Sequence, residues 1–444
     1  MSQRRRFLFL QGFNSGFPSR LGAALHKAGH GVRRVNFCVG DALYWGRVGD
    51  GAWNYRGTLA DWPEYLSAGF AEEAFTDVVL MGDARPLHEA AIPVARWYGA
   101  RVHVFEEGYF RPNWVTLEEG GVNGYSALPR DPLWYREAGR LVPRYGDGEP
   151  MGTPFLNLLG HGLGYRLPGA LNPLLFPGYE THRPYNGGAE AYGWTRRYLK
   201  WRGMERSDNR RIDELIRSEE PFYLQPLQLD SDSQIRKHSG FRGVPYLIKR
   251  VVLSFLRNAP ADTKLVIKNH PLDTGLVDYS EQVRRIAERF GAQDRLIYLE
   301  SGHMPTLLKH AQGVVVVNST VGPSALLHGC PVIALGEAIY DLPGLTFQGT
   351  LDEFWHGGQA PDPSLFRDFR NTVIHTTQIN GAFYTRKGNE RAAMVAARRL
   401  QLDYGPLDEL KWMVGWTETT PRARHEALVD PGSVTMNPSV RRTG

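Results

Sequence analysis

Residues 313–329 read GVVVVNSTVGPSALLHG, and this stretch decides the fold. Val314 to Val317 are four β-branched residues in succession, the pattern of a short strand buried on both faces. Asn318, Ser319 and Thr320 follow directly. All three are N-cap types, and Pro323 suits the first turn of a helix. Ser324 to His328 make that helix, and Gly329 ends it ahead of Cys330 and Pro331. The spacing therefore predicts a strand, a hydroxyl-rich turn and a helix, one unit of an α/β chain. Backbone N–H groups at such a helix start, with the Ser319 and Thr320 hydroxyls beside them, suit a phosphate group. Taken alone, the stretch is explained equally well as an ordinary strand–helix connection with a hydroxyl cap and no ligand.

The same alternation extends outward. Phe222–Leu227, Lys264–Lys268, Arg295–Tyr298 and Val332–Leu335 read as strands. Val244–Asn258, Tyr279–Phe290 and a short stretch around Thr306–His310 read as helices. A second α/β block lies near the N-terminus. Its strands are Arg6–Leu10, Val32–Phe37, Asp77–Met81 and Arg101–Phe105, and its helices are Pro18–His30 and Leu87–Tyr98. The loop GFNSGFPSR after the first strand holds Gly12 and Gly16 but not the GxGxxG spacing of a dinucleotide site. From Met151 to Tyr179 the chain is apolar but broken by Gly and Pro. Tyr192–Arg202, YGWTRRYLKWR, then interleaves aromatic with basic residues. That mixture suits a membrane–water interface and equally an interdomain helix with its long side chains lying along the surface. No basic stripe of useful length accompanies it, so nucleic acid is not expected as a partner. Asn371–Leu400 reads as helical, packing back across the first block, and Asp430–Gly444 reads as a polar tail.

A length of 444 residues predicts two domains. The content, 42% hydrophobic and 22% charged, is that of a globular protein. Cys38 and Cys330 are the two cysteines, too few for a disulfide framework or a Cys-based zinc site, which points to a reducing compartment. The apolar run Phe7–Leu10 is too short for a signal-peptide core. No run approaches the roughly 18 apolar residues of a membrane span. A net charge of +5 suits anionic partners without selecting one.

Four polar clusters fall at the carboxyl ends of predicted strands, the edge at which open α/β sheets bind ligands. The first is Glu106-Glu107-Gly108, extended by Tyr109, Arg111 and Pro112. On a turn, one acid faces the cleft as a general acid or base while the other anchors the loop. The second is QPLQLDSDSQIRKHS, Gln225 to Ser239, with Gln228, Asp230 and Asp232. A carboxylate there suits a nucleophile or the electrostatic stabiliser of an oxocarbenium-like centre. The third is Lys268-Asn269-His270-Pro271. Lys268 offers charge to a phosphate, and His270 can protonate a leaving one. The fourth is Asn318, Ser319 and Thr320, with Tyr340 in Gly336–Gly344 as a rim for a base or sugar. Asp230-Ser231-Asp232 matches DxD but lacks supporting context, and no HxxxH stands in a supporting context, so neither a metal nor a cofactor is expected.

In order, Glu106-Glu107-Gly108, His270-Pro271 and Ser319-Thr320 resemble the acidic-pair-Gly, His-Pro and Ser/Thr-pair motifs of bacterial transferases that use CMP-activated sugar acids. More closely, eight stretches are similar to the bacterial capsule polysaccharide β-Kdo transferases: FLQGFNSGFPSRL, NFCVGDALYW, EEGYFRPNWVTLE, GVNGYS, PLQLDSDSQIRKHS, KNHPLD, VNSTVG and GEAIYDLPGLTFQG. They span about Phe9 to Trp355, most of the chain. The resemblance implies a GT-B-like α/β fold, two Rossmann-like domains facing across a cleft. Residues 1–150 would be the acceptor-side domain, 151–215 the connecting segment with possible membrane or acceptor contact, and 216–370 the CMP-sugar domain. Residues 371–430 would pack back as helices, and 431–444 would be the flexible tail. The resemblance further implies transfer of Kdo from CMP-β-Kdo, with retention, to a lysophospholipid (lysophosphatidylglycerol) that starts the poly-Kdo linker of a capsule.

By the same resemblance Asp232, four residues after Gln228, would attack the anomeric carbon, with Asp230 as its competitor. Glu106 would take the acceptor proton, His270 would assist CMP departure, and Ser319 and Thr320 would hold the phosphate. Arg111 would meet the Kdo carboxylate; Gln228, Glu107, Lys268, Asn318 and Tyr340 would complete the donor site. The implied partners are CMP-Kdo, the lysophospholipid, the inner-membrane surface and other capsule synthesis enzymes, with the chain on the cytoplasmic side. Two other classes remain open: a non-catalytic capsule assembly or export protein binding nucleotide or lipid, and a GT-B-fold sugar-nucleotide epimerase.

Overall fold

In the computed structural model, which describes residues 4–152, 155–181, 187–229 and 240–417, the β-branched runs become the strands of two sheets. The first sheet contains β1 (Arg6–Phe9), β2 (Gly31–Asn36), β3 (Ala52–Asn54), β4 (Asp77–Met81), β5 (Arg101–Glu107), β6 (Trp114–Glu119) and β12 (Gln378–Asn380). The second contains β7 (Phe222–Pro226), β8 (Lys264–Lys268), β9 (Leu296–Leu299), β10 (Gly313–Val316) and β11 (Val332–Ala334). Every residue of β4, β7 and β10 is buried, as strands covered by helices on both faces require.

The first sheet has the order β12-β6-β5-β4-β1-β2-β3 and the second β11-β10-β7-β8-β9. Strands β1 to β5 pair in parallel, as do β7 to β11. Each parallel set therefore runs third, second, first, fourth, fifth, the order of a Rossmann-like sheet. Strand order reverses between β1 and β4 in one and between β7 and β10 in the other, and crevices for ligands form at those reversals. This is the GT-B-like α/β arrangement.

Several elements differ from the sequence reading. Glu106 and Glu107 are not on a turn; they are the last residues of β5, paired with Thr116 and Val115 of β6. Alternation along a strand still sends the two carboxylates to opposite faces. Asn371–Leu400 is not one helix. A helix ends at Thr377, β12 pairs antiparallel with β6, and a second helix, Arg386–Leu400, begins after a tight reversal. Within that strand Ile379 is β-branched and buried. Gly381 permits the reversal, since a Cβ there would lie 2.8 Å from the Ala392 Cβ. Helix Arg386–Leu400 lies on helix Phe17–Lys27 of the first block, through buried Ala392, Ala393, Ala396 and Ala397. Finally, Val39–Trp45, not foreseen from the sequence, is a short helix after β2.

Loop and helix residues of the first half share a core with the second sheet. Tyr109, Trp134 and Tyr135 from the first half pack in a single buried cluster with Phe369, Leu224, Val266 and Val314. The helix Gly187–Arg217 runs between the halves. It approaches the second sheet so closely that a Cβ on Gly193 would come within 2.4 Å of the Thr274 carbonyl oxygen. Among the described residues, no helix is long and apolar enough to cross a membrane.

Candidate active site at the two strand-order reversals

Polar residues directly after β7 and β10 meet at the reversal of the second sheet. Gln228 Nε2 donates to Asn318 Oδ1 at 2.9 Å, and Gln228 Oε1 accepts from the Asn318 N–H at 3.4 Å. The pair joins the two strand ends and fixes where the next turn starts. Thr320 is the N-cap of the helix Val321–Leu327. That helix has only seven residues, so the hydroxyls of the turn count for more than a short dipole. Ser319 Oγ accepts from the Val321 N–H at 3.2 Å, and both Ser319 and Thr320 are half-exposed.

Two predicted donor contacts sit elsewhere. Tyr340 is buried beneath the turn, not on its rim. Its hydroxyl donates to the Ser319 carbonyl at 2.7 Å, and its ring fills the space at Gly322, where a Cβ would come within 2.3 Å of it. Tyr340 thus braces the Ser319–Thr320 turn from below. Lys268 is also buried, with Nζ 3.4 Å from the Asn269 carbonyl oxygen. Burial lowers its pKa and Arg197 lowers it further, against the pull of Asp208 and Glu300. Its charge belongs to an internal cluster, because side-chain direction at the end of a buried strand follows packing and not the polarity of the residue.

That cluster is built by the helix Gly187–Arg217. Arg197 is 4% exposed at its side chain. It donates to the carbonyl oxygens of Asp273, His270 and Glu300, with the Glu300 carboxylate 3.5 Å away. One helical stretch further on, Asp208 accepts from the N–H groups of Glu300 and Ser301, each at 2.9 Å. Arg197 belongs to the basic-aromatic stretch, yet it does not lie along the surface: it is buried and anchors the loops after β8 and β9.

Held in this way, His270 has a defined protonation state. Its Nδ1 accepts from the Leu272 N–H at 3.1 Å, so the ring proton lies on Nε2. Burial, then Arg111, Lys268 and Arg197, lower its pKa to about 4. His270 is therefore neutral near pH 7 and offers a hydrogen bond from Nε2. It is not the proton reservoir that the sequence suggested.

The appearance of Arg111 among those influences links the two halves, since Arg111 belongs to the loop after β5. It also opposes the rise that burial causes in the Glu107 carboxyl. Glu106 points toward the reversal of the first sheet. Its Oε1 accepts from the Glu107 N–H at 3.1 Å. Its Oε2 lies 3.1 Å from where a Cβ on Gly82 would sit, just past β4, and Gly82 has φ +77°. A side chain there would crowd the carboxylate and strain the backbone. Behind this loop, the Tyr109 hydroxyl donates to buried Glu118 at 2.5 Å, and burial brings that carboxyl to about 7.

Three neighbours were not foreseen. Asp83 accepts from the Val122 N–H at 2.8 Å, and Arg85 donates to the Gly12 carbonyl at 3.1 Å. Tyr384 has a phenol raised by burial and then by Glu107, with Arg85, Glu106 and Arg111 also in electrostatic reach. Gly82-Asp83-Ala84-Arg85 follows a strand that was read correctly, so the carboxyl-edge rule pointed to Asp83 and Arg85. Tyr384 comes from far along the chain and has no local signal. Asp230 and Asp232 lie outside the described residues. Among the described residues, no three His, Cys, Asp or Glu side chains gather to hold a metal ion.

Known proteins resemble this chain over most of its length. The family described as capsule polysaccharide biosynthesis protein matches residues 76–384. The capsule polysaccharide export protein KpsS of Escherichia coli is 36% identical over 86% of this chain and 97% of its own. The capsule polysaccharide modification protein LipB of Neisseria meningitidis serogroup B is 35% identical over 87% and 93%. A solved structure of Thermosulfurimonas dismutans KpsC, described as a beta Kdo 2,7 transferase, overlays with TM-score 0.42 and 12% identity, over 89% of this chain and 99% of that one. The fold assignment rests on the strand orders and not on that overlay.

Proposed function

The chain belongs to the capsule polysaccharide biosynthesis protein family, and from that premise we propose that it is a retaining β-Kdo glycosyltransferase. In this reading it moves Kdo from CMP-β-Kdo to a lysophospholipid, lysophosphatidylglycerol, at the inner-membrane surface, to begin the linker of a capsular polysaccharide. One observation carries the reading. The two strand-order reversals carry complementary chemistry: a hydroxyl turn and a neutral histidine at one, and the Glu106 carboxylate with Arg111 nearby at the other. Arg111 is felt electrostatically at both Glu107 and His270.

The described groups take roles that their environments allow, and Asp232 takes its role from the resemblance of its motif. The Ser319 and Thr320 hydroxyls hold the CMP phosphate, on a turn kept rigid by Tyr340 and by the Gln228–Asn318 pair. His270 donates from Nε2 to the departing phosphate oxygen, which stabilises negative charge as the bond to the sugar breaks. Arg111 pairs with the sugar carboxylate. Asp232 attacks the anomeric carbon on the face opposite CMP. Glu106 then takes the proton of the acceptor hydroxyl as that oxygen displaces Asp232, so two inversions give net retention. No step requires a metal.

Replacing Ser319 and Thr320 together with Ala removes two donors to a charged phosphate, each worth about 1.5–3 kcal/mol. Calorimetry should show CMP affinity falling at least tenfold, with thermal unfolding unchanged because both residues are half-exposed. Undiminished CMP binding would remove the phosphate site from this turn.

A further inference from the structure

Residues 155–179 read FLNLLGHGLGYRLPGALNPLLFPGY, with one arginine, Arg166, and no acid. A helical segment lying on a water-soluble domain turns its leucines inward and its polar groups outward. Here the orientation is reversed. Tyr165, Asn172 and Tyr179 recur every seven residues, and all three bond to the domain beneath. The Tyr165 hydroxyl donates to Asp41 Oδ1 at 3.0 Å and accepts from the Cys38 thiol at 3.2 Å. Asn172 Oδ1 accepts from the Val39 N–H at 2.9 Å. The Tyr179 hydroxyl accepts from Gln11 Nε2 at 3.2 Å. Glycines permit the close seat: a Cβ on Gly40 would lie 2.7 Å from the Tyr165 carbonyl oxygen, and one on Gly178 would lie 2.1 Å from that of Gly57.

The leucines face away. Leu163 is 51% exposed, Leu167 71%, Leu171 51%, Leu174 79% and Leu175 38%, and Leu43, on the helix Val39–Trp45 against which this segment packs, is 60% exposed. The border carries three arginines against one acid, the exposed Glu180 that follows Tyr179. Arg166 lies within the segment, Arg47 follows the helix Val39–Trp45, and the Arg56 backbone abuts Gly178; all three residues are exposed. The inner bonds engage residues just past β1 and β2, so the platform sits on the carboxyl edge of the first sheet, the edge that carries Glu106.

We infer that this leucine face, formed by Leu163–Leu175 with Leu43, is the surface on which the protein docks to an anionic lipid bilayer. A broad apolar face without acids and with a net basic border matches the acyl–headgroup boundary of such a bilayer. It does not match a water-exposed surface. The inference deepens the lipid-acceptor reading by placing the membrane beside the acceptor side of the cleft. Its test involves no donor and no turnover, so either idea can fail alone.

The test is co-sedimentation of the full chain with vesicles of equal parts phosphatidylglycerol and phosphatidylcholine at low salt. The wild type should pellet with the vesicles. Leu167→Glu/Leu171→Glu/Leu174→Glu should reduce the bound fraction at least tenfold, with an unchanged melting temperature. Leu174→Glu alone, at the most exposed position, should give an intermediate loss with no effect on folding. A wild type that stays in the supernatant overturns the inference, as does a triple variant that binds as well as the wild type. If light scattering shows a wild-type dimer that the triple variant abolishes, without vesicle binding, the face belongs to a second copy of the chain and the inference is wrong.

Discussion

Asp232→Asn should lower Kdo transfer by about 10³-fold or more while leaving CMP affinity intact. The substitution keeps the shape of the side chain and removes the charge that attacks. Retention at an anomeric centre requires a nucleophile on the face opposite the leaving group. The Gln-x-x-x-Asp spacing from Gln228 nominates Asp232, and Gln228 itself is fixed at the reversal of the second sheet by Asn318. Asp230→Asn should cost much less. Initial rates with CMP-Kdo, alongside calorimetry with CMP, separate the two. The opposite ranking would move the nucleophile to Asp230, and near-normal rates in both variants would rule out a covalent route through either.

Arg197→Met should destabilise the fold by about 3–5 kcal/mol, the cost of leaving buried ionic and polar partners without their counterpart. The methionine fills much of the volume but gives nothing to the carbonyls of His270, Asp273 and Glu300, or to the buried carboxylate of Asp273. Denaturant titration should show a lower midpoint with an unchanged slope. The loop that carries His270 should loosen with it, so CMP affinity should fall in the surviving folded protein. A loss below about 1 kcal/mol would mean that this arginine is a surface residue in solution and does not anchor the loops after β8 and β9.

Much of the architecture was legible in sequence. Asp77–Met81 and Lys264–Lys268 are strands, and Val244–Asn258 and Tyr279–Phe290 are helices, with the bounds read from their patterns. Continuous β-branched runs and strong 3.6-residue periodicity leave little alternative there. Burial of polar residues was not legible. Lys268 and Tyr340 sit in the right motifs, yet packing turns one into an internal cluster and the other under the turn. Arg197 lies 73 residues from His270, so no local pattern couples them. The leucine-rich connecting segment reads as apolar and broken by Gly and Pro, with no buried side marked. Only the hydrogen bonds of Tyr165, Asn172 and Tyr179 show that its polar side is the buried one.

The central claim is the transfer itself, and the most direct measurement is mass spectrometry of the product formed from CMP-Kdo and a lysophosphatidylglycerol analogue. The account predicts an acceptor heavier by one or more Kdo residues, with release of CMP, and no product when Ser319 and Thr320 are both Ala. An unmodified acceptor beside an active wild-type preparation that binds CMP would contradict it.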